Sequence, residues 1–295
     1  PGAVAEGGGS DVSPSVQRWL PLAPCALLSL YFAIGLLAFS IRTAIWGATH
    51  DRDIEASGRS ILIGVYLRNY FSWVVRPLWL LVLASGISPN AVTIVATMAG
   101  FASGIAVALG HLALGGWLFI LSGILDTLDG KLARARKRVT PAGAAFDSLL
   151  DRYADGAVLA GLAFYFRNSW VLIVVLAAIF GTSMVPYVRA KAESFGVAMK
   201  DGLMQRPERV FTLGVAVMAS PMVEALLPTP SPHTPQRLAV IGLVLLAITS
   251  NTTAVGRITR LLTALRKQSG APAPAPVPAV GPPRTATAPR RLVRT

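Results

Sequence analysis

Apolar stretches of about 20 residues recur along this chain, and no other feature restricts its fold as strongly. A helix needs about that length to cross the hydrocarbon core of a bilayer. Hydrophobic residues make up 53% of the sequence and charged residues only 14%. The predicted spans are 18–46, 88–109, 113–135, 143–166, 169–192, 208–227 and 237–262. The sequence therefore predicts an all-α, polytopic membrane bundle in which an extra N-terminal transmembrane helix precedes six others.

The basic residues lie mostly between the apolar stretches and give the chain a net charge of +13. They collect at alternate ends of the predicted spans, and they are Lys131, Arg134, Arg136, Lys137, Arg138, Arg189, Lys191, Arg206, Arg209, Arg257, Arg260, Arg266 and Lys267. The positive-inside rule expects this distribution at the cytoplasmic ends of membrane helices. We therefore expect a multi-pass protein of the cell membrane with this end in the cytoplasm, and no nucleic-acid partner.

Three further segments differ in composition from the spans. Residues 1–17 are rich in Gly, Ser and Pro, and residues 268–295 form a basic Pro/Ala-rich tail; both are predicted to be disordered. Residues 60–86 are apolar but carry Arg68 and Arg76. This mixture favours a helix that lies in the membrane interface, and a tilted span is the alternative.

Acidic residues stand out in the predicted spans near the middle of the chain. An ionised Asp at the bilayer centre costs about 2.5–3.5 kcal/mol. On a helix, Asp126 and Asp129 lie about 60° apart, and Asp147 and Asp151 on the next helix lie about 40° apart. A short loop joins the two helices as antiparallel neighbours, so the four carboxylates can converge near the cytoplasmic boundary. Such like charges need a counter-cation, and oxygen ligands suit Mg²⁺ or Mn²⁺.

The spacing of these acids carries further information. The chain reads Asp126-x2-Asp129-Gly130-x2-Ala133-Arg134-x8-Gly143-x3-Asp147-x3-Asp151 without a gap. This pattern resembles the signature of the CDP-alcohol phosphatidyltransferase family. The resemblance implies a domain over residues 88–266, six membrane helices and a homodimer; the N-terminal helix and the tail fall outside it.

The resemblance also implies an activity. Enzymes of this family move a phosphatidyl group from CDP-diacylglycerol to an alcohol and release CMP. By analogy Asp126, Asp129 and Asp147 are metal ligands, and Asp151 is the catalytic base and a further metal contact. The implied cofactor is Mg²⁺ or Mn²⁺. Asp155, one turn further on, is outside the pattern and stays unassigned: it could support the metal ligands or pair with Arg152.

The small and polar positions of the pattern are expected to bind the nucleotide. Within the signature these are Gly130, Ala133, Arg134 and Gly143. Pro89, Asn90 and Thr93, which follow Ser88 at the start of a span, resemble a second nucleotide-contacting motif of the family. The alternatives are close helix packing by the small residues and simple helix capping by Ser88 and Pro89.

The stretch 185–210 bears on the acceptor alcohol. Its elements Tyr187, Ala190, Ala192-Glu193, Gly202 and Arg206-Pro207-Glu208-Arg209 resemble the phosphatidylinositol phosphate synthases within the family. This implies inositol 1-phosphate as acceptor, with glycerol 3-phosphate or another alcohol as the alternative. Arginines suit a dianionic phosphate, and the candidates are Arg189, Arg206, Arg209 and Arg257, although each also obeys the positive-inside rule.

A function of another class uses the same acids differently. Acidic residues inside a membrane also mark cation transporters and channels. An ion path needs acids distributed along the membrane normal, whereas these lie at one depth. The pattern therefore favours the transferase over the transporter.

Overall fold

The computed structural model describes residues 23–47, 65–199, 206–227 and 236–269, and within these ranges it contains helices and no strand. In chain order the helices are α1 (Ala23–Trp46), α2 (Val65–Val74), α3 (Arg76–Ala84), α4 (Pro89–Ala108), α5 (Leu112–Ala135), α6 (Pro141–Tyr165), α7 (Val171–Ser194), α8 (Arg206–Leu226) and α9 (Arg237–Ser269). The prediction of an all-α bundle is confirmed.

Six of the described helices, α1, α4, α5, α7, α8 and α9, are long and apolar enough to cross a membrane. Helix α6 has 25 residues, which corresponds to about 37 Å, so it is also long enough. Its apolar character is interrupted by Asp147, Asp151, Arg152 and Asp155. The protein is therefore a multi-pass membrane protein, and its least apolar long helix is the one that carries half of the acidic motif.

The predicted single helix over residues 60–86 is instead two helices, α2 and α3, which meet at Val75. Pro77 follows at the start of α3 and has no N–H to continue the hydrogen-bond ladder, so the helix is interrupted there. With ten and nine residues, neither piece can cross a bilayer. The interface position of this segment stays a prediction, with a tilted span as its alternative. Residues 60–64 lie outside the described residues.

The structure describes little of the two terminal segments that are predicted to be disordered. Residues 1–17 and 270–295 lie outside the described residues. Helix α9 continues through Ser269, so the tail begins later than the predicted residue 268.

Helix α1 packs against α2 through an aromatic contact. Phe39 is 1% exposed and contacts Tyr70 and Trp73. The Tyr70 hydroxyl donates a hydrogen bond to the carbonyl of Phe32. Other apolar side chains of α1, such as Leu27, Leu37 and Ile45, are exposed, as expected of a helix surrounded by lipid. The N-terminal helix α1 thus packs against α2 and also contacts α5 of the bundle.

Two helices of the bundle begin with the same local signal. The side chain of Ser88 accepts a hydrogen bond from the N–H of Ala91 at the start of α4, and that of Thr140 accepts one from the N–H of Gly143 at the start of α6. A proline follows each cap, at the position where its missing N–H costs nothing. Both helices start at the end of the bundle that carries the acidic motif.

Close packing then brings the two acidic helices together. Helix α4 packs against both α5 and α6. Gly161 of α6 lies so close to the backbone of Gly104 of α4 that a Cβ atom there would clash. On the other side, the hydroxyl of Ser122 in α5 donates a 2.7 Å hydrogen bond to the carbonyl of Ala96. Because α5 and α6 share this partner, their aspartates are held near one another.

The remaining helices complete the core. Helix α8 packs against α5 and α9, and α7 packs against α9. The largest apolar cluster includes Val107, Leu162, Val175, Leu213 and Leu243, each 2% exposed or less. This packing places the first turn of α8, with Arg206 and Arg209, beside the acidic motif.

Candidate metal and acceptor site

Three carboxylates of the acidic motif form a cluster across α5 and α6. One oxygen each from Asp126, Asp129 and Asp147 lies within 4.8 Å of the other two. Two oxygens bound to the same Mg²⁺ lie at most about 4.2 Å apart, because each bond is about 2.1 Å long. Small side-chain rotations therefore suffice to bring the three oxygens around one ion.

The cluster contains buried oxygens that no described group satisfies. Asp129 is 3% exposed, and its Oδ2 atom has no hydrogen-bond partner among the described residues. The same holds for Oδ1 of Asp147. Buried carboxylate oxygens without a partner are costly, and hard oxygen donors of this kind are the ligands of Mg²⁺ and Mn²⁺. The residues present therefore fit a divalent cation.

The fourth motif acid, Asp151, lies beside the cluster and pairs with an arginine from α8. Arg206 Nη1 is 3.0 Å from Asp151 Oδ1 and also contacts Asp126 Oδ2. The other side of the same guanidinium binds Asp155, with Nη2 3.2 Å from Oδ1 and Nε 3.3 Å from Oδ2. One guanidinium thus joins three carboxylates from two helices.

This arrangement answers the open question about Asp155. Its partner is Arg206, and Arg152 instead donates to the carbonyl of Ser148. The sequence left Asp155 unassigned, and the candidate partner it offered was Arg152, three residues away on the same helix. The actual partner is 51 residues away in the sequence, so spacing on α6 could not identify it.

The four predicted acceptor arginines occupy different environments. Arg206 directs its donors to carboxylates. Arg209 Nε and Nη1 are buried and have no hydrogen-bond partner among the described residues. Arg257 Nη1 donates to the carbonyl of Val185 at 2.8 Å. Arg189 pairs with Glu193 at 2.9 Å, and both side chains are 53% exposed. The structure therefore does not join Arg189 to the buried arginines.

Arg209 and Arg257 belong to one cationic region. Arg209 interacts electrostatically with Asp155 first, and also with Arg206 and Arg257. Arg257 and Arg260 line a cavity of about 180 Å³ together with Val197, Ala198 and Met199. Arg209 and Arg257 are partly buried, and partly buried cations near one another favour binding of an anion. This region can therefore take a phosphate.

The predicted nucleotide contacts lie around the carboxylates, where α4, α5 and α6 meet. Thr93 is buried and its side chain lies within hydrogen-bonding range of Asp129. A Cβ on Gly143 would be 3.0 Å from Thr140 Oγ1 and 3.7 Å from Asn90 Oδ1. A Cβ on Gly130 would meet only the exposed Arg134, at 3.5 Å, among the described residues. The surface is thus open beside Gly130 and bounded by Asn90 near Gly143, while Ala133 lies one turn beyond Gly130 on α5.

Sequence reasoning overlooked one residue near the site. Arg136 was expected to be an ordinary basic residue of a cytoplasmic end. Its Nη2 donates to the carbonyl of Leu83 at 3.1 Å, and its Nη1 donates to the carbonyls of Gly86 and Ile87. Cationic side chains favour the exposed carbonyls at a helix C-terminus. Arg136 therefore fastens the end of α3 to the end of α5, which carries the acidic motif.

Comparison with known proteins identifies the chain's family. The CDP-alcohol phosphatidyltransferase family profile matches residues 86–255. The phosphatidylinositol phosphate synthase of Mycobacteroides abscessus is 36% identical over 152 residues, which cover 50% of this chain and 69% of that protein. The enzyme of the same name from Mycobacterium tuberculosis is 33% identical over 201 residues, which cover 65% and 87%.

Solved structures agree with this assignment. The crystal structure of the Mycobacterium tuberculosis phosphatidylinositol phosphate synthase with CDP-DAG bound has a TM-score of 0.54 and 30% sequence identity, and the match covers 63% of this chain and 92% of that one. The same enzyme in complex with manganese and citrate gives a TM-score of 0.54 at 29% identity and covers 63% and 88%.

These comparisons confirm the predicted family and the predicted likeness to phosphatidylinositol phosphate synthases, and they decide against the ion-transport alternative. They also agree with the prediction of a divalent-metal enzyme, since a solved relative is a manganese complex and the acidic cluster here fits such an ion. The chain belongs to the CDP-alcohol phosphatidyltransferase family of membrane enzymes.

Proposed function

We propose that the protein transfers a phosphatidyl group from CDP-diacylglycerol to inositol 1-phosphate and releases CMP. The buried guanidinium edge of Arg209, which has no hydrogen-bond partner among the described residues, supports a phosphorylated acceptor, and the phosphatidylinositol phosphate synthases among the relatives support inositol 1-phosphate over glycerol 3-phosphate. A buried cation without an acceptor is costly, and a phosphate monoester supplies oxygens for both free donors. Free inositol or serine would not bring a phosphate to this position.

The acidic cluster supports the cofactor part of the proposal. Asp126, Asp129 and Asp147 would hold the divalent cation, with Asp151 adjoining them. When bound, the cation neutralises the diphosphate and the negative charge that develops during transfer. Gly130 leaves room for the nucleotide beside these ligands. The other proposed nucleotide contacts are Gly143, Ala133, Arg134, Pro89, Asn90 and Thr93.

Asp151 is proposed as the general base. Its carboxylate accepts the proton of the acceptor hydroxyl. The hydroxyl oxygen forms a bond to the β-phosphorus, the bond from that phosphorus to the bridging diphosphate oxygen breaks, and CMP leaves with that electron pair. Arg209 and Arg257 orient the acceptor through its phosphate, so that the hydroxyl and not the phosphate faces Asp151.

Orientation and assembly belong to the same proposal. The basic residues at the site end of the bundle support a cytoplasmic active site, because the opposite ends of the described helices carry few of them, such as Arg167 and Arg237. A homodimer is proposed from the family resemblance. Light scattering on the detergent-purified protein tests the homodimer. Protease accessibility of a tag inserted after Ser269, measured in inverted vesicles, tests the orientation.

The activity test compares acceptors directly. CMP release from CDP-diacylglycerol is measured with Mn²⁺ and with inositol 1-phosphate, glycerol 3-phosphate, serine or free inositol. We expect release with inositol 1-phosphate alone and its loss in Asp151→Asn, while Glu193→Gln, an acid-to-amide change at an exposed position, retains it. Release with free inositol at an equal rate would contradict the acceptor assignment, and full activity of Asp151→Asn would contradict the base.

A further inference from the structure

Asp155 has no role in the family pattern, yet it forms the most extensive ion pair of the site. Its two oxygens face two nitrogens of Arg206, at 3.2 and 3.3 Å. A two-pronged contact of this kind fixes the plane of a guanidinium as well as its position. Asp155 therefore determines where the remaining nitrogen of Arg206, Nη1, lies.

That remaining nitrogen lies between the two acidic helices. Arg206 Nη1 contacts Asp126 of α5 and Asp151 of α6. The four side chains are only 16–24% exposed, so water screens their charges less than at the protein surface. Asp126 therefore takes part in two interactions: it pairs with Arg206, and it belongs to the three-carboxylate cluster.

We propose that Asp155 is a positioning residue that holds Arg206 as the built-in counter-ion of the metal site, so that a divalent cation competes with Arg206 for the negative charge of Asp126. The inference rests on the proposed metal site but concerns residues outside its ligand set. Arg206 is accordingly part of the metal site's charge balance and not primarily an acceptor-phosphate ligand.

The proposal predicts the direction in which the metal affinity changes when Arg206 is removed. A guanidinium beside Asp126 opposes a second cation there, both by occupying the carboxylate and by charge repulsion. Removing Arg206 should therefore tighten metal binding, whereas removing an ordinary supporting residue would weaken it. Without the metal, the same change leaves the carboxylates facing one another without this cation, so the protein becomes less stable.

The experiment measures Mn²⁺ binding to the full-length, detergent-purified protein without substrate, by the EPR signal of free Mn²⁺. We expect Arg206→Gln to lower the Mn²⁺ dissociation constant by about tenfold or more. Asp155→Asn should lower it by less, because the guanidinium is loosened but not removed and the variant also loses a negative charge near the cation. The double variant should bind no more tightly than Arg206→Gln alone, because Asp155 acts through Arg206.

Controls separate this inference from the metal site itself. Asp129→Asn should abolish the binding of Mn²⁺, and retained binding in that variant would place the ion elsewhere and overturn both proposals. Weaker or unchanged binding in Arg206→Gln would overturn the counter-ion role and leave the metal site intact. A clear rise in the dissociation constant when Asp155→Asn is added to Arg206→Gln would show that Asp155 attracts the cation by its own charge, which would overturn its role as a positioning residue.

Thermal unfolding supplies a second readout, which also verifies folding. Arg206→Gln should unfold at a lower temperature than the wild type in EDTA and gain more stability from added Mn²⁺. An equal gain in the two proteins would contradict the competition between Arg206 and the metal.

Discussion

Arg206 and Arg209 lie one turn apart on α8, and they differ in their hydrogen-bond partners. Arg206 is paired with Asp126, Asp151 and Asp155, whereas Arg209 has two buried nitrogens without a described partner. The carboxylate side of the site also has buried oxygens without a partner, on Asp129 and Asp147. The nitrogens of Arg209 and the oxygens of Asp129 and Asp147 do not bind one another. The carboxylate side is therefore arranged for a metal cation, and the arginine side for a phosphate.

The largest effect is expected on the carboxylate side. Asp129→Asn keeps the size of the buried side chain but removes the charge that the cation needs, so CMP release should fall by at least about a thousandfold. The assay uses saturating Mn²⁺ and both substrates, with Glu193→Gln as the matched acid-to-amide control. Activity within tenfold of the wild type would show that the buried oxygen of Asp129 is not a metal ligand.

The next effect is expected on the arginine side. Arg209→Gln removes the charge and the two-nitrogen edge, and it should raise the KM for inositol 1-phosphate by about 10- to 100-fold. The KM for CDP-diacylglycerol should change by less than about threefold. Arg266→Gln, an exposed basic position in the last turn of α9, serves as control. Equal increases in the two KM values would mean that Arg209 supports the fold of the site and not the acceptor.

A third prediction concerns the helix crossing that brings the aspartates together. Gly161→Ala places a methyl group against the backbone of Gly104, and such overpacking costs about 1–3 kcal/mol. The unfolding midpoint should fall by about 3–10 °C. Gly156→Ala, on the same helix, is the control, since a Cβ there meets nothing within 4 Å among the described residues. An equal fall in both variants would contradict a close α4–α6 contact.

The smallest effect is expected at Arg136. Arg136→Gln removes hydrogen bonds to the carbonyls at the end of α3, but the residue is on the surface and its contacts are partly replaced by water. The KM for CDP-diacylglycerol should rise by about threefold, with no change for the acceptor. The exposed neighbour Arg138→Gln should leave both values unchanged. A larger increase in the KM for inositol 1-phosphate than in the KM for CDP-diacylglycerol would contradict the assignment of Arg136 to the end of α3.

Much of the carboxylate side could be predicted from the sequence. The spacing from Asp126 to Asp151 is local, and helix geometry alone places the acids on facing surfaces. The turn at Pro77 is also a local signal, and it was available in the sequence although a single helix was predicted there. Periodicity therefore gave the helices of the bundle with small errors at their ends.

The arginine side could not be predicted in the same way. Arg206 meets Asp155 across 51 positions of the sequence, and no spacing rule connects α6 with α8. The sequence likewise grouped Arg189 with Arg209, because both lie at the same end of the bundle. Only tertiary packing separates them, since it exposes Arg189 beside Glu193 and buries the edge of Arg209.

The most direct test of the opposed-charge account is an anomalous-diffraction structure of the protein with Mn²⁺ and inositol 1-phosphate. The account predicts an Mn²⁺ peak bound by Asp126, Asp129 and Asp147 at about 2.2 Å, and the acceptor phosphate on Nε and Nη1 of Arg209. A manganese peak away from these carboxylates, or a phosphate that leaves the Arg209 edge unoccupied, would contradict it.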